Sequence, residues 1–286
     1  MATLKNIIDN MLLQLAPKYG KGEAQWLVRI IFENIKSYNA VDLILHSDEE
    51  ISEYIENKAL EVTYRLLQDE PIQYIFGNAH FYGLSFKVTP DTLIPRQETE
   101  ELIDLIVKEN QESDLHILDI GTGSGCIAIS LARAMKFPIV EAIDFSPKAL
   151  SVAKENAKVL KTKINFRQQD ALQLSLPHSP IYDIIVSNPP YIARHEQQDM
   201  PLNVLNHEPW SALFVPDDDP LKFYKAIATY GISALKPGGK LYFEINPIYA
   251  KGLEDMLLQL HYDNVTTRKD MQGLDRITSA TKQYDR

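Results

Sequence analysis

The chain has 286 residues, 45% of them hydrophobic and 24% charged, a globular composition with room for one large domain or two ordinary ones. No run of about 18 apolar residues occurs and the first residues lack the layout of a secretory signal, so neither a membrane span nor export is expected. A net charge of −10 without any block of Lys and Arg weighs against a nucleic-acid substrate and leaves room for a basic protein partner, while the single cysteine, Cys126, cannot form an internal disulfide and fits a reducing cytoplasm.

Residues 1 to about 75 read as a helical module. Leu4, Ile7, Ile8, Met11, Leu12 and Leu15 recur at helical spacing, as do Trp26, Leu27, Ile30, Ile31 and Ile35. Ser47-Asp48-Glu49-Glu50 resembles a helix start and predicts a helix through about Gln68. Over 73–95 the aromatics Tyr74, Phe76, Phe81, Tyr82 and Phe86, punctuated by Gly77, Asn78 and Gly83, predict a hairpin that links domains 1–75 and 96–286. A helix over Glu98–Lys108 follows. Strands are then expected at His116–Ile120, Pro138–Asp144, Ile164–Gln168, Ile181–Ser187 and Lys240–Ile245. They alternate with helices at Cys126–Met135, Lys148–Leu160, Leu221–Leu235 and Ala250–Leu260. That alternation is the pattern of an α/β fold with a doubly wound, mostly parallel sheet.

The first strand of the series runs into Asp119-Ile120-Gly121-Thr122-Gly123-Ser124-Gly125, and a helix follows. Glycines there let the backbone turn tightly and let a ligand approach the main chain. The spacing is G-x-G-x-G, which is neither the G-x-G-x-x-G of dinucleotide binders nor a P-loop. An acid at Asp119 disfavours a pyrophosphate and favours a cationic ligand; a sulfonium cofactor with an ammonium group, S-adenosylmethionine, fits that charge. Asp144 closes the next strand, where an acid can bind both hydroxyls of a ribose; a capping role is the plainer alternative. Asp170-Ala171 follows the third strand, where a doubly wound fold brings a loop over the same crevice, suited to an adenine.

Asn188-Pro189-Pro190-Tyr191 directly follows the apolar run Tyr182–Ser187. Two prolines cannot donate to a ladder, so the strand stops there, and each holds the residue before it extended. Asn188 and Pro189 thus present carbonyl oxygens that no ladder has claimed, Asn188 adds a side-chain oxygen, and Tyr191 adds a flat ring. The cluster is suited to a planar –NH2 group, either an amide or the exocyclic amine of a base. The long polar stretch from Ile192 to His207 is expected to be a substrate-facing loop. His195 and His207 in it read as solvated side chains, since no ligand spacing supports a metal.

Together the two segments resemble the class I S-adenosylmethionine-dependent methyltransferases of the N-P-P-Y subgroup. More closely, the chain resembles the peptide chain release factor N5-glutamine methyltransferases, the PrmC/HemK family, over nearly its whole length. Thr92-Leu93-Ile94-Pro95-Arg96-Gln97-Glu98-Thr99-Glu100 is similar to that family's I-P-R-P-E-T-E signature. Phe76-Gly77, Phe81-Tyr82-Gly83, Phe86-Lys87-Val88, Glu208-Pro209 with Ala212-Leu213, Leu235-Lys236-Pro237-Gly238-Gly239 and Asp270-x-x-Gly273-x-Asp275-Arg276 match further segments. Gln97 departs from the usual proline, Asn246-Pro247-Ile248-Tyr249 from G-x-x-Q, and Ala171 from a bulkier residue.

The resemblance implies a seven-stranded, Rossmann-like methyltransferase domain behind a small helical domain and a connecting hairpin. It implies a cytoplasmic enzyme that uses S-adenosylmethionine, releases S-adenosylhomocysteine, and acts on the glutamine of the Gly-Gly-Gln motif in class I release factors, which the helical domain helps to recognise. Ribosomal-protein glutamine and a nucleic-acid base remain alternative acceptors. Asp119, Gly121, Thr122, Gly123, Ser124, Gly125, Asp144, Asp170, Ala171 and Asn188 are expected at the cofactor. Asn188, Pro189, Pro190 and Tyr191 are expected at the substrate. In catalysis Asn188 Oδ1 and the Pro189 carbonyl would each accept one N–H of the acceptor amide, with Tyr191 packed against it.

Overall fold

The computed structural model describes residues 2–284; residue 1 and residues 285–286, the outer ends of the expected domains, lie outside the described residues. The chain separates into two compact units. One runs through Gly77 and takes in Pro201–His207, and the other comprises Asn78–Met200 and the chain from Glu208 onward. No described helix is long and apolar enough to cross a membrane.

In the first unit, α1 (Leu4–Lys36) consists of two helical stretches broken at Gly20, whose φ of 76° and ψ of 161° are not helical. Leu4, Ile7, Met11 and Leu15 from one stretch and Leu27 and Ile31 from the other share a core with Ala59, Val62 and Leu66. Those last three lie on α3 (Glu53–Leu67), which follows the short α2 (Ala40–Leu45). The helix expected from Ser47 begins instead after Ser52, whose side chain accepts from Ile55 N. Backbone pairing explains the delay: Leu4 N donates to Glu49 O, Lys5 N to Ser47 O and Ile51 N to Ala2 O, so the turn at 46–48 and the bridge at Glu50 are tied to the chain's first residues and cannot be helical. Tyr74 and Phe76, expected in a strand, belong to the single turn α4 (Ile72–Phe76), which Gly77 ends at φ 70°. That left-handed geometry suits a glycine.

The second unit opens with a hairpin, β1 (Asn78–Phe81) and β2 (Leu84–Lys87). Tyr82 and Gly83 turn it with φ of 50° and 69°, the primed geometry that matches strand twist. Then come α5 (Gln97–Glu109), β3 (His116–Ile120), α6 (Cys126–Ala134), β4 (Ile139–Asp144), α7 (Pro147–Val159), β5 (Ile164–Gln168) and β6 (Tyr182–Ser187). The chain continues through β7 (Ile192–Ala193), α8 (Leu202–His207), α9 (Trp210–Leu213), β8 (Phe214–Val215), α10 (Lys222–Ala234), β9 (Leu235–Glu244), α11 (Ala250–Gln259), β10 (Tyr262–Lys269) and β11 (Asp275–Lys282).

Seven of these strands form one sheet in the order β10-β11-β9-β6-β3-β4-β5. The five from β9 to β5 are parallel, while β11 pairs antiparallel with β9 and β10 antiparallel with β11. Alternate residues supply two cores, as the period of a strand requires. Leu118, Ile120, Ile185, Leu241 and Phe243 pack with α10 and α11. Ile117, Ile184, Val186 and Tyr242 pack with α5, α6 and the hairpin residues Phe81 and Phe86. The strand expected at Lys240 starts earlier, at Leu235, because Leu235 pairs with Tyr182 and a register shift accommodates Pro237-Gly238-Gly239 before Lys240 meets Ile184.

The expected loop from Ile192 to His207 is ordered. β7 pairs in parallel with β8, a 3-10 segment spans Arg194–Asp199, and α8 groups with the first unit. Its polar sequence reflects short elements with one wet side.

Candidate active site

The reach from β3 to β4 to β5 runs one way across the sheet, and β6 then returns to the far side of β3. Where strand order reverses in this manner, a crevice opens at the carboxyl ends of the strands. Ile120 ends β3 opposite Ser187, the end of β6, and Ser187 Oγ donates to Ile120 O at 2.7 Å. The next residues, Gly121 and Asn188, therefore leave the sheet from neighbouring strand ends. Both line one cleft of about 1000 Å³, the open solvent at its mouth included.

Gly121, Thr122, Gly123 and Ser124 form one part of its wall. Gly121 and Gly123 have φ of 77° and 55°, and nothing lies within 4 Å of where a Cβ would stand, so the cleft approaches the bare main chain. The turn is anchored from β4: Gly121 N and Thr122 N donate to Ile143 O, and Gly123 N donates to Asp144 Oδ2 at 2.9 Å. Gly125 does not line the cleft; its φ is 83° and a Cβ would meet Ala153 Cβ and Ile129 Cδ1 at 3.1 Å, so it is a packing glycine at the start of α6.

Asp119 also stands apart from the cleft lining. It is fully buried beneath the turn and accepts from Thr122 Oγ1 at 2.6 Å. Burial pushes its carboxyl up to about 7 against the opposing pull of the Thr122 bond. Its Oδ1 and the Oγ of the cleft residue Ser124 are buried and have no hydrogen-bond partner among the described residues. Unpaired buried oxygens of this kind are uncommon.

Asp144 lies in the cleft wall, accepting from Gly123 N on one oxygen and from Ser146 N on the other. Burial raises its pKa despite those two bonds. The N-cap of α7 is Ser146, not Asp144, so the acid is spent on the loop and the cleft. Asp170 and Ala171 line the cleft too, with Asp170 Oδ1 accepting from Leu172 N. Phe145, which the sequence reading passed over, adds an aromatic face to the wall and is 52% exposed.

On the β6 side the lining continues through Asn188, Pro189 and Pro190. The Pro189 carbonyl accepts no hydrogen bond among the described residues. Asn188 Nδ2 donates to Thr99 Oγ1 at 3.4 Å, which leaves Oδ1 to the cleft. Tyr191 does not line the cleft. The residue is partly buried, and its hydroxyl donates to Glu244 Oε1 at 3.1 Å. Its hydroxyl is thus held inside the domain. Burial pushes the Tyr191 phenol up, and the Glu244 charge adds to that.

Thr99 and Glu244 were missed from the sequence, although an acid closing the apolar run Leu241-Tyr242-Phe243 was a signal. Glu244 is 1% exposed and accepts from Thr99 Oγ1 at 2.5 Å as well as from Tyr191. Two segments flagged by resemblance are bound to each other: Glu208 accepts from Ile94 N and from Arg96 Nη2, the latter at 2.5 Å. The departures have local reasons. Gln97 is exposed at the first residue of α5, where proline is merely a good starter. Asn246 donates to Tyr191 O at 3.2 Å and so steadies the end of the Asn-Pro-Pro-Tyr segment. His195 pairs with Asp217 and His207 with Gln68 O.

Two family models match the chain: the Methyltransferase small domain over residues 98–208 and the PrmC N-terminal domain over residues 13–77. The release factor glutamine methyltransferase of Bacteroides thetaiotaomicron is 45% identical over 264 residues, 92% of this chain and 95% of that protein. That of Flavobacterium psychrophilum is 41% identical over 278 residues, 96% of this chain and 97% of that protein. A methyltransferase structure from Pyrococcus furiosus superimposes with a TM-score of 0.53 at 16% identity, covering 78% of this chain and 98% of that one, a likeness of fold.

Proposed function

Because the chain belongs to the release factor glutamine methyltransferase family, we propose that it methylates the side-chain amide nitrogen of the Gly-Gly-Gln glutamine in class I release factors, with S-adenosylmethionine as methyl donor. The observation that carries this reading is the shared cleft of Asn188 and Pro189 with Gly121–Ser124.

The cleft residues fit the donor. The Ser124 Oγ in the cleft wall suits an ammonium group at the glycine turn, with the buried Asp119 acting from beneath through that turn. Asp144 keeps a lone pair on each oxygen for ribose hydroxyls. Asp170 and the exposed ring of Phe145 suit an adenine, by hydrogen bond and by stacking, so the small Ala171 need not stack. When bound, the donor presents a methyl carbon on a positively charged sulfur.

The residues of the chain do the rest. An amide nitrogen is a weak nucleophile because its lone pair is delocalised into the carbonyl. Asn188 Oδ1 and the Pro189 carbonyl each accept one of its N–H groups, which raises electron density on nitrogen and disperses the positive charge that grows as the C–N bond forms. Fixed acceptors of this kind supply several kcal/mol of transition-state stabilisation. The prolines hold both acceptors in place, which favours alignment at about 3–3.5 Å before reaction. The proton then leaves to water, and no strong base is needed. The helical first unit recognises the release factor, consistent with its match to the PrmC N-terminal domain.

The test is methyl transfer from labelled S-adenosylmethionine to a purified release factor, read by peptide mass spectrometry. Label at the Gly-Gly-Gln glutamine is expected; label elsewhere, or none, would overturn the assignment.

A further inference from the structure

We propose that Thr99 and Glu244 are positioning residues that decide which end of the Asn188 carboxamide faces the acceptor nitrogen. The inference rests on the reading of Asn188 as the acceptor-amide clamp and deepens it.

A carboxamide has nearly the same shape with its oxygen and nitrogen exchanged. For Asn188 the exchange would be ruinous. Oδ1 in the cleft accepts from the substrate –NH2, whereas Nδ2 in the cleft would set donor against donor and withdraw the charge-stabilising bond. The Thr99 hydroxyl, which meets the other end of the carboxamide at 3.4 Å, cannot choose between them unaided, because a hydroxyl both donates and accepts. It becomes a pure acceptor toward Asn188 only if its proton is committed elsewhere.

Glu244 makes that commitment. Burial raises the Glu244 pKa, while the bonds from Thr99 and Tyr191 and the charge of Arg276 favour the ionised form, which has no proton to give. Its Oε2 takes the Thr99 proton at 2.5 Å and its Oε1 takes the Tyr191 proton at 3.1 Å. Direction then runs one way along the chain: Asn188 Nδ2 donates to Thr99, Thr99 donates to Glu244, and Oδ1 is left for the substrate. The residues come from α5, the segment after β6 and the end of β9, so the relay exists only in the folded domain.

The placement of the acid argues against a purely structural role. A buried carboxylate is expensive, and an apolar or neutral residue of like size would cost less there. Glu244 forms no ion pair among the described residues; Arg276 acts on it only through space and is itself bonded to Asp270. Its direct partners are two neutral hydroxyls, the arrangement that polarises them and does little else.

The full-length protein tests this by steady-state methyl transfer to a release factor, with S-adenosylmethionine binding measured by calorimetry. Thr99→Val keeps the shape and removes the hydroxyl. It should lower kcat by about tenfold or more, the worth of one charge-assisted bond, while cofactor affinity stays within about twofold. Thr99→Ser should restore most of the rate. Glu244→Gln, which donates as readily as it accepts, should lower kcat as Thr99→Val does. In an Asn188→Ala background Thr99→Val should have no further effect, because the residue through which it acts is gone. Full turnover by Thr99→Val, failure of Thr99→Ser to restore it, or multiplying losses in the double variant would overturn the proposal. If the parent protein transfers no label to glutamine, the clamp reading itself fails, which is a separate result from a parent that works and a Thr99→Val that works equally well.

Discussion

Asn188 and Asp119 illustrate how differently two polar residues in one loop system act. In the proposed reaction Asn188 touches the acceptor, so Asn188→Ala should lower kcat by roughly 10² or more with S-adenosylmethionine binding little changed. Near-normal turnover would remove Asn188 from its role. Asp119 sits below the cleft wall, and its effect is on the turn. An aspartate ordinarily titrates near 3.8, and burial moves this one up to about 7. The folded protein therefore keeps a proton that the unfolded chain has lost across that window. The stability this represents is present at low pH and is lost as pH rises through about 7. Asp119→Asn cannot titrate and retains an acceptor for Thr122. Its stability relative to the parent should climb between pH 5 and pH 8 by something on the order of 2–4 kcal/mol in urea titrations without ligand. A pH-independent difference would refute the raised pKa.

The strand ends and turns are elements whose backbone matters more than their side chains. Gly123 combines a φ of 55° with an N–H that donates to Asp144 Oδ2. Gly123→Ala meets no atom within 4 Å, so its cost is the left-handed conformation, about 1–2 kcal/mol, plus a methyl group in the proposed donor site. S-adenosylmethionine affinity by calorimetry should fall by about tenfold or more while the melting temperature drops only by a few degrees. Unchanged affinity would separate the turn from the donor site. At the same scale, some elements were readable in advance and others were not. The central parallel strands β3 and β6 are near-continuous apolar runs, and the bounds of the parallel strands fall within a residue or two of expectation, apart from the early start of β9. The pair β10 and β11 was not read, because an exposed, bulged strand such as Tyr262–Lys269 has no clean alternation. The start of α3 was misjudged because Ser47 and Ser52 are equally good caps locally, and pairing with the chain's first residues chose between them.

For the molecule as a whole, ligand binding and stability are linked. S-adenosylmethionine at 100 times its dissociation constant should stabilise the folded state by about 2.7 kcal/mol, which for a unit of this size raises the melting temperature by roughly 5–10 °C. Hydrogen exchange should localise the added protection to the turns after β3, β4 and β5 in the second unit. Protection confined to the helical first unit, or no thermal shift, would contradict the proposed donor site. The amino-acid sequence alone determined the alternation of strands and helices, the ligand-ready glycine turn and the rigid acceptors of Asn188-Pro189-Pro190, since each follows from backbone rules acting over a few residues. Its resemblance to a known family added the strand count and the chemistry. Only the tertiary structure decided that β6 lies beside β3, which brings Gly121 and Asn188 to one cleft. It also decided that Asp119 is buried beneath the glycine turn, and that Thr99 and Tyr191 both meet Glu244. The physical reason is that strand neighbours and buried hydrogen-bond partners are chosen by packing between segments far apart in the chain, and no local pattern carries that information.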